Sequence, residues 1–307
     1  MAIGLFGVLV PTVYADIDNP ADARSTFQNF QPFMDRVSEI LANTLVSPIG
    51  EFAETLFLFF TAALIIGRLS RYIWQGITIA EIGETIALII VVRVMMVMYG
   101  PVTTYMWQWA NAFGGGIQQV AVGSDDIFFV GVFIKNIVDR IALADVSIWE
   151  GIMASIAIAV LSVILFALTL LAFIASAWPI WGYAVAKLIG WMFIPTILFK
   201  RLSFLFDGWL RFFFGFLMYA VCIRVNLSLV AIALGLFFNL PVGDSPSAPY
   251  IFPVQNFMDF FGLAAICLIS LAGLWSTGKF SAVIAGGVGG VSDGIRRATM
   301  AAGRLTQ

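Results

Sequence analysis

Long apolar segments separated by short polar stretches dominate the hydropathy pattern of this chain. Four lie at about 49–67, 82–100, 151–177 and 209–239, and a fifth, at about 257–275, follows the turn-forming sequence LPVGDSPSAPY. Each approaches or exceeds the roughly 20 residues that an α-helix needs to cross the hydrocarbon core of a bilayer. The pattern therefore predicts an all-α integral membrane protein with about five transmembrane helices.

The composition supports this fold class. Of the 307 residues, 61% are hydrophobic and only 11% are charged, whereas soluble proteins carry about 25% charged residues. The sequence has no histidine, and Cys222 and Cys267 both lie in apolar runs, which disfavours histidine-based catalysis and zinc or disulfide frameworks. HExxH, GxSxG and P-loop motifs are also absent. We therefore expect neither an enzyme nor a bound cofactor.

The segment 178–199, WPIWGYAVAKLIGWMFIPTILF, is apolar enough to form a sixth span. It begins with Trp178-Pro179, contains Lys187 near its middle and includes Pro195 near its end. Proline cannot donate a backbone hydrogen bond, and a lysine is costly in contact with lipid. We therefore expect five spans with one broken or re-entrant segment, and six spans remain the alternative.

The distribution of Lys and Arg predicts the orientation. With five spans and the N-terminus outside, ten positive charges face the cytoplasm and four face the periplasm, as the positive-inside rule favours. Six spans with both termini inside place eleven positive charges in the cytoplasm and two in the periplasm. Six spans with the N-terminus outside would reverse this distribution, so that arrangement is excluded. Both surviving arrangements place the C-terminus in the cytoplasm, and the five-span arrangement places the N-terminus in the periplasm.

The two ends of the chain are predicted to lie outside the bilayer core. Residues 1–48 form a periplasmic segment in which 27–45 has the apolar periodicity of an amphipathic helix. Val13-Tyr14-Ala15 has the small-residue spacing of a signal-peptidase site, yet no basic residue precedes the apolar stretch, so cleavage stays open. Residues 276–307 form a basic, Gly- and Ala-rich cytoplasmic tail.

A hydrophilic periplasmic loop is predicted over about 101–150, inside the transmembrane domain 49–275. The loop opens at Pro101 with aromatic residues typical of an interfacial belt, namely Tyr105, Trp107 and Trp109. The Gly114-Gly115-Gly116 triplet is expected to break the chain direction. Five acidic residues follow it.

Charged residues inside apolar segments are the candidates for a functional path. Arg93 lies deep in the second span, and Arg224 lies near the middle of 209–239. Burying an arginine in a bilayer costs from about 2.5 kcal/mol upward, so each should face protein or water. In an antiparallel helix pair Arg93 would reach Glu54. These residues either join helices or line a polar path or oligomer interface, and together with Lys187 they support the alternative function of a small-molecule or ion transporter.

Residues 188–220, LIGWMFIPTILFKRLSFLFDGWLRFFFGFLMYA, carry the most specific pattern. A proline-terminated apolar segment is followed by an aromatic-rich turn, a Trp-Leu pair and another span, with these positions held by Pro195, Phe199, Phe206, Trp209 and Leu210. This stretch resembles the core signature of the TrbL-like (VirB-six) polytopic inner-membrane subunits of type IV secretion and conjugation systems. The order of spans, loop and basic tail is similar as well.

The resemblance implies a channel or platform subunit of a machine that transfers DNA or protein and assembles a pilus or stalk. It implies a homo-oligomer in the bacterial inner membrane. The expected partners are pilus or stalk proteins, inner-membrane core proteins, and ATPases that supply the energy. It also implies an assembly role for Trp209, with Trp191 as a second candidate.

Residues 195–211 are expected to act as an assembly hinge. Pro195 should bend or end the apolar segment. Phe204, Phe206 and Trp209 should then present a broad aromatic surface at the cytoplasmic boundary, suited to packing between helices or between subunits.

Overall fold

The computed structural model describes residues 36, 39, 48–76, 79–138, 141–143, 148–238, 250–252, 257–287 and 290–304. Its α-helices are α1 (Pro48–Gln75), α2 (Ile79–Val122), α3 (Phe129–Val138), α4 (Ile148–Gly190), α5 (Ser203–Phe237), α6 (Phe257–Gly286) and α7 (Val291–Arg304). A 3-10 helix, η1, covers Trp191–Leu198, and the short strands β1 and β2 cover Ile141–Leu143 and Tyr250–Phe252.

Among the residues that the structure describes, five helical stretches are long and apolar enough to cross a membrane. These are Ile49–Arg71, Glu81–Val122, Ile158–Leu198, Ser203–Phe237 and Phe261–Ala301. The predicted fold class, an all-α multi-pass membrane protein with about five spans, is confirmed.

The second helix is longer than predicted. We expected the chain to leave the membrane helix at Pro101, but α2 continues through this proline to Val122. Beside the proline, Thr103 and Thr104 donate hydrogen bonds to the carbonyls of Tyr99 and Gly100, at 2.8 and 2.9 Å. The connection after this helix therefore begins at residue 123 and not at 101.

The ambiguous segment 178–199 does not form a separate sixth span. Helix α4 continues through Pro179 to Gly190, and η1 follows without interruption. The break lies at the α-to-3-10 transition and at the chain reversal after Leu198, as expected for a segment that contains Pro195. The predicted broken element is thus the end of the third span.

The β1 and β2 strands form a small parallel pair that the hydropathy pattern did not predict. Ile141 is opposite Tyr250, and Leu143 is opposite Phe252. The β-branched and aromatic residues of this pair favour extended structure. The pair links the connection after α3 to the connection before α6.

The C-terminal segment packs against the bundle. Asp207 of α5 accepts hydrogen bonds from the Ser292 backbone N–H at 3.1 Å and the Ser292 hydroxyl at 2.7 Å. Its carboxylate therefore caps the positive N-terminal end of α7. Arg296 donates to the carbonyl of Ile197 at 2.5 Å. The predicted tail thus contains the end of α6 and a docked helix.

Two buried apolar clusters hold the helices together. One joins α3, α4, α5 and α6 through side chains that include Ile134, Leu165, Ile223 and Cys267. The other joins α1, α2, η1 and α5 through side chains that include Phe57, Met96, Ile197 and Phe213. Since α5 contributes to both clusters, it is the central helix of the described bundle.

The predicted amphipathic helix at 27–45 and the signal-like N-terminus lie outside the described residues, except for two positions. Arg36 and Glu39 are helical and form an exposed ion pair of 2.7 Å at a three-residue spacing. This contact is typical of neighbouring residues on one helix face.

Candidate functional site: the junction around Trp209

The Trp209 side chain lies buried where α2, α4 and α5 meet. Its indole Nε1 donates a hydrogen bond of 2.8 Å to the carbonyl of Ala186, and the residue is only 7% exposed. The indole ring lies 5.5 Å from the Phe213 ring and 5.7 Å from the Tyr99 ring, measured between centroids. Trp209 therefore fixes α5 to the end of α4 by both packing and a directed hydrogen bond.

Tyr99 provides the matching contact from α2. Its hydroxyl donates to the carbonyl of Lys187 at 2.8 Å and approaches the carbonyl of Ala186 at 3.3 Å. The last carbonyls of an α-helix lack intrahelical partners, and the change to 3-10 geometry alters the hydrogen bonding of the final turn. Trp209 and Tyr99 therefore supply side-chain donors to two carbonyls near the end of α4, those of Ala186 and Lys187.

Gly190 leaves the space that these aromatic side chains occupy. A Cβ atom at this position would overlap the Trp209 ring and the Tyr99 hydroxyl. A glycine is thus required by the close approach of the two rings, at the last residue of α4. This residue was not identified from the sequence, since its requirement arises only once α2 and α5 are in place.

Lys187 faces the protein interior on the same turn of α4. Its Nζ donates to Thr104 Oγ1 at 2.8 Å and lies 5.5 Å from the centroid of the Tyr183 ring. The Tyr183 ring in turn stacks on Trp107, with centroids 4.3 Å apart. The energetic cost of placing a lysine in contact with lipid is therefore avoided, because Lys187 is only 7% exposed and lies against α2. Trp107 contributes to this packing instead of forming an interfacial belt.

A tight reversal joins η1 to α5. The Phe199 backbone is extended, and its N–H donates to the Thr196 carbonyl at 3.2 Å. The Ser203 hydroxyl then donates to the Lys200 carbonyl at 3.0 Å as α5 begins. Pro195 is buried within η1, close to the predicted bend. The motif residues thus form a helical hairpin, with the basic Lys200 and Arg201 exposed at its tip.

Of the two kinds of packing expected for the aromatic residues of this stretch, the structure shows packing between helices of one chain for two of the three. Phe204 is exposed, but Phe206 and Trp209 are buried within this chain. Their rings pack against each other at 5.6 Å. The reason is helical periodicity, since Phe206, Trp209 and Phe213 lie three and four residues apart on one face of α5. Trp191 is also buried and stacks on Tyr99 at 6.2 Å.

Arg224 lies in a separate site towards the other end of α2. It donates to the Asp125 carbonyl at 2.6 Å and to Gln118 Oε1 at 3.3 Å. A Cβ at Gly114 would lie 2.8 Å from Arg224 Cδ, and one at Gly115 would lie 3.3 Å from Arg224 Nη1. The glycine triplet is therefore helical and provides room for the arginine; the predicted chain break there is wrong.

Arg93 forms the predicted pair with Glu54. The Nη1 and Oε1 atoms lie 2.8 Å apart and join α1 to α2. The three predicted cations lie at different heights along α2. Arg93 is part of this helix, Lys187 contacts it at residue 104, and Arg224 contacts it at residue 118. The successive separations along α2 are roughly 17 and 21 Å at 1.5 Å per residue. The structure therefore brings Trp209, Trp191, Lys187 and Pro195 close together, while Arg93 and Arg224 lie elsewhere.

No family model matches the sequence, and no curated protein shows significant similarity to it.

Proposed function

We propose that this chain is a platform or channel subunit of a type IV secretion machine in the bacterial inner membrane, where it supports DNA or protein transfer and pilus or stalk assembly. The supporting observation is that Pro195, Phe206 and Trp209 of the signature-like stretch are all buried within one helical hairpin. A stretch that determines how three membrane helices meet is a reasonable place for a family pattern to concentrate. The proposed orientation has the N-terminus in the periplasm and α7 in the cytoplasm, in agreement with the positive-inside rule.

The proposed partners are further copies of this chain, pilus or stalk proteins, inner-membrane core proteins and ATPases. A multi-pass bundle stabilised by aromatic packing suits a scaffold, and in this proposal the ATPases supply the energy for transfer. The tip of the hairpin carries Lys200 and Arg201, both exposed, and would lie at the cytoplasmic surface, where basic residues contact anionic lipid headgroups.

The transporter alternative receives little support from the geometry. A substrate site needs polar groups that converge on one cavity. Here Arg93 is paired with Glu54, Lys187 with Thr104, and Arg224 with Gln118 and the Asp125 carbonyl. The three cations thus have separate partners at separate heights along α2.

A transfer assay with a deletion strain tests the proposal. Removal of the gene from its native host should abolish conjugative transfer or effector secretion, and expression of the wild-type chain should restore it. In a control strain, the deletion is complemented with the Trp109→Ala variant. This substitution changes an exposed tryptophan of α2 and leaves the hairpin intact. Unchanged transfer and secretion in the deletion strain would refute the proposed function.

A further inference from the structure

The Glu54–Arg93 ion pair is unusual because it lies on the outer surface of the described bundle. The Arg93 and Glu54 side chains are 47% and 50% exposed, and the Arg93 guanidinium also lies 5.8 Å from the centroid of the Phe57 ring. The exposed side chains beside Arg93 on α2 are apolar, whereas Glu51 and Thr55, both exposed, lie beside Glu54 on α1. We define the α1–α2 face as Glu54 and Arg93 together with Leu58, Ile86, Ile90, Val94 and Val97, all exposed.

This face is unsuited to lipid. A charged side chain inside the hydrocarbon layer costs from about 2.5 kcal/mol upward. A surface ion pair gains too little from its internal attraction to offset the loss of hydration of both groups. If the α1–α2 face lies within the bilayer core, protein must therefore cover the pair.

The face is equally unsuited to water. Four apolar side chains of α2, at positions 86, 90, 94 and 97, recur at helical spacing beside Arg93, and all four are exposed. An apolar stripe of this kind on a soluble surface marks an interaction site. A protein partner therefore suits this combination of charged and apolar side chains better than lipid tails or water do.

We propose that the α1–α2 face is the contact between copies of this chain in the membrane. The region carries the cation Arg93 on α2 and the carboxylates Glu51 and Glu54, both exposed, on the adjacent α1, so a second copy offers carboxylates to each arginine. A second copy inserted in the same orientation presents the same charges at the same depth, where each arginine can contact a carboxylate of the neighbouring copy. The proposal rests on the platform function proposed above and identifies the surface through which the oligomer forms.

Cysteine crosslinking in native membranes tests the contact. In a Cys222→Ser/Cys267→Ala background, Ile90→Cys should give a disulfide-linked product of twice the 33.5 kDa chain mass on oxidation with copper phenanthroline. The matched control is Leu229→Cys on α5, because Leu229 and Ile90 are similarly exposed, at 58% and 56%. An Ile90→Cys yield no higher than that of Leu229→Cys would overturn the proposal, and so would a product whose mass requires a different protein.

Charge variants test whether Arg93 and Glu54 stabilise the contact between copies. In the Ile90→Cys protein, Arg93→Leu should lower the yield roughly tenfold, which corresponds to a loss of ~1.4 kcal/mol. The swapped pair Glu54→Arg/Arg93→Glu should keep the parental yield, because residues 54 and 93 still carry opposite charges. Arg68→Leu is the control, since it removes the other α1–α2 ion pair, Arg68–Glu81 at 3.7 Å, and should leave the yield unchanged. A parental yield from Arg93→Leu would contradict the proposal.

The transfer assay separates this inference from the proposed function. If the deletion strain transfers normally while the Ile90→Cys product forms, the contact stands and the secretion role fails. If transfer depends on the gene but Ile90→Cys gives no specific product, the secretion role stands and the contact fails.

Discussion

Truncation of Trp209 tests the assignment of this residue to the internal support of its own chain. Trp209→Ala removes a side chain that is 7% exposed, together with the only described hydrogen bond from its indole, to Ala186. Truncation of a buried aromatic typically costs about 3–5 kcal/mol, and a buried carbonyl that loses its donor adds about 1–3 kcal/mol. Because Tyr99 still approaches the Ala186 carbonyl at 3.3 Å, we expect the loss of the indole hydrogen bond to cost about 1 kcal/mol.

Trp209→Phe should restore most of the stability. A phenylalanine ring keeps the packing against Tyr99 and Phe213 but cannot donate to Ala186, so the remaining loss should be close to that of one hydrogen bond, about 1 kcal/mol. The assay is thermal stability of the purified protein in detergent, followed as the fraction that elutes as a monodisperse peak after heating. The expected order is wild type, then Trp209→Phe, then Trp209→Ala by a wide margin.

Trp109→Ala is the matched control for this series. Trp109 lies on α2, is 53% exposed and stacks on Phe113 at 5.7 Å, so its removal opens no internal cavity and should cost much less. A Trp209→Ala protein as stable as the Trp109→Ala protein would refute the assignment. Normal monomer stability with a lost oligomer would instead support the earlier expectation that Trp209 contacts other subunits.

The remaining predictions concern the close approach at the end of α4, the arginine site and the topology. Gly190→Ala should destabilise the protein strongly in the same thermal assay, because its Cβ would overlap two rings, whereas alanine at Gly208, where a Cβ meets open space, should be tolerated. Arg224→Leu should lower stability by about 1–3 kcal/mol, because the Asp125 carbonyl and the Gln118 amide oxygen lose their donor, and Arg224→Lys should lose less; equal effects in a denaturation series would contradict the contact geometry. Alkaline-phosphatase fusions should be active after Ala144 and inactive after Thr306, and the reverse result would exclude the proposed orientation.

Hydropathy was sufficient to find the five membrane-spanning helices, though not where they end, because lipid contact selects for long apolar runs whatever their partners. The Glu54–Arg93 pair was also predictable, since an antiparallel helix pair brings a residue near the start of one span close to a residue far along the next. Both inferences use only local sequence and helix geometry.

The glycine triplet could not be interpreted in the same way. Glycine is typical both of chain breaks and of close helix approach, and the choice depends on Arg224, which lies more than a hundred positions away. The requirement for Gly190 is of the same kind, because it depends on Tyr99 and Trp209. Sequence alone identifies the small residue but not the side chain that needs the space.

The orientation of the aromatic residues in α5 could have been predicted, and it changes how variants of this region should be interpreted. Apolar residues recur every three or four positions from Phe206 through Trp209 and Phe213 to Leu217, and all four are buried, whereas Phe204 lies off this face and is exposed. Loss of transfer on substitution of the buried residues would therefore act through the fold of the single chain. A defect in assembly with a stable chain should arise instead from exposed positions, with Phe204 in the hairpin and Arg93 on the α1–α2 face as the first to compare.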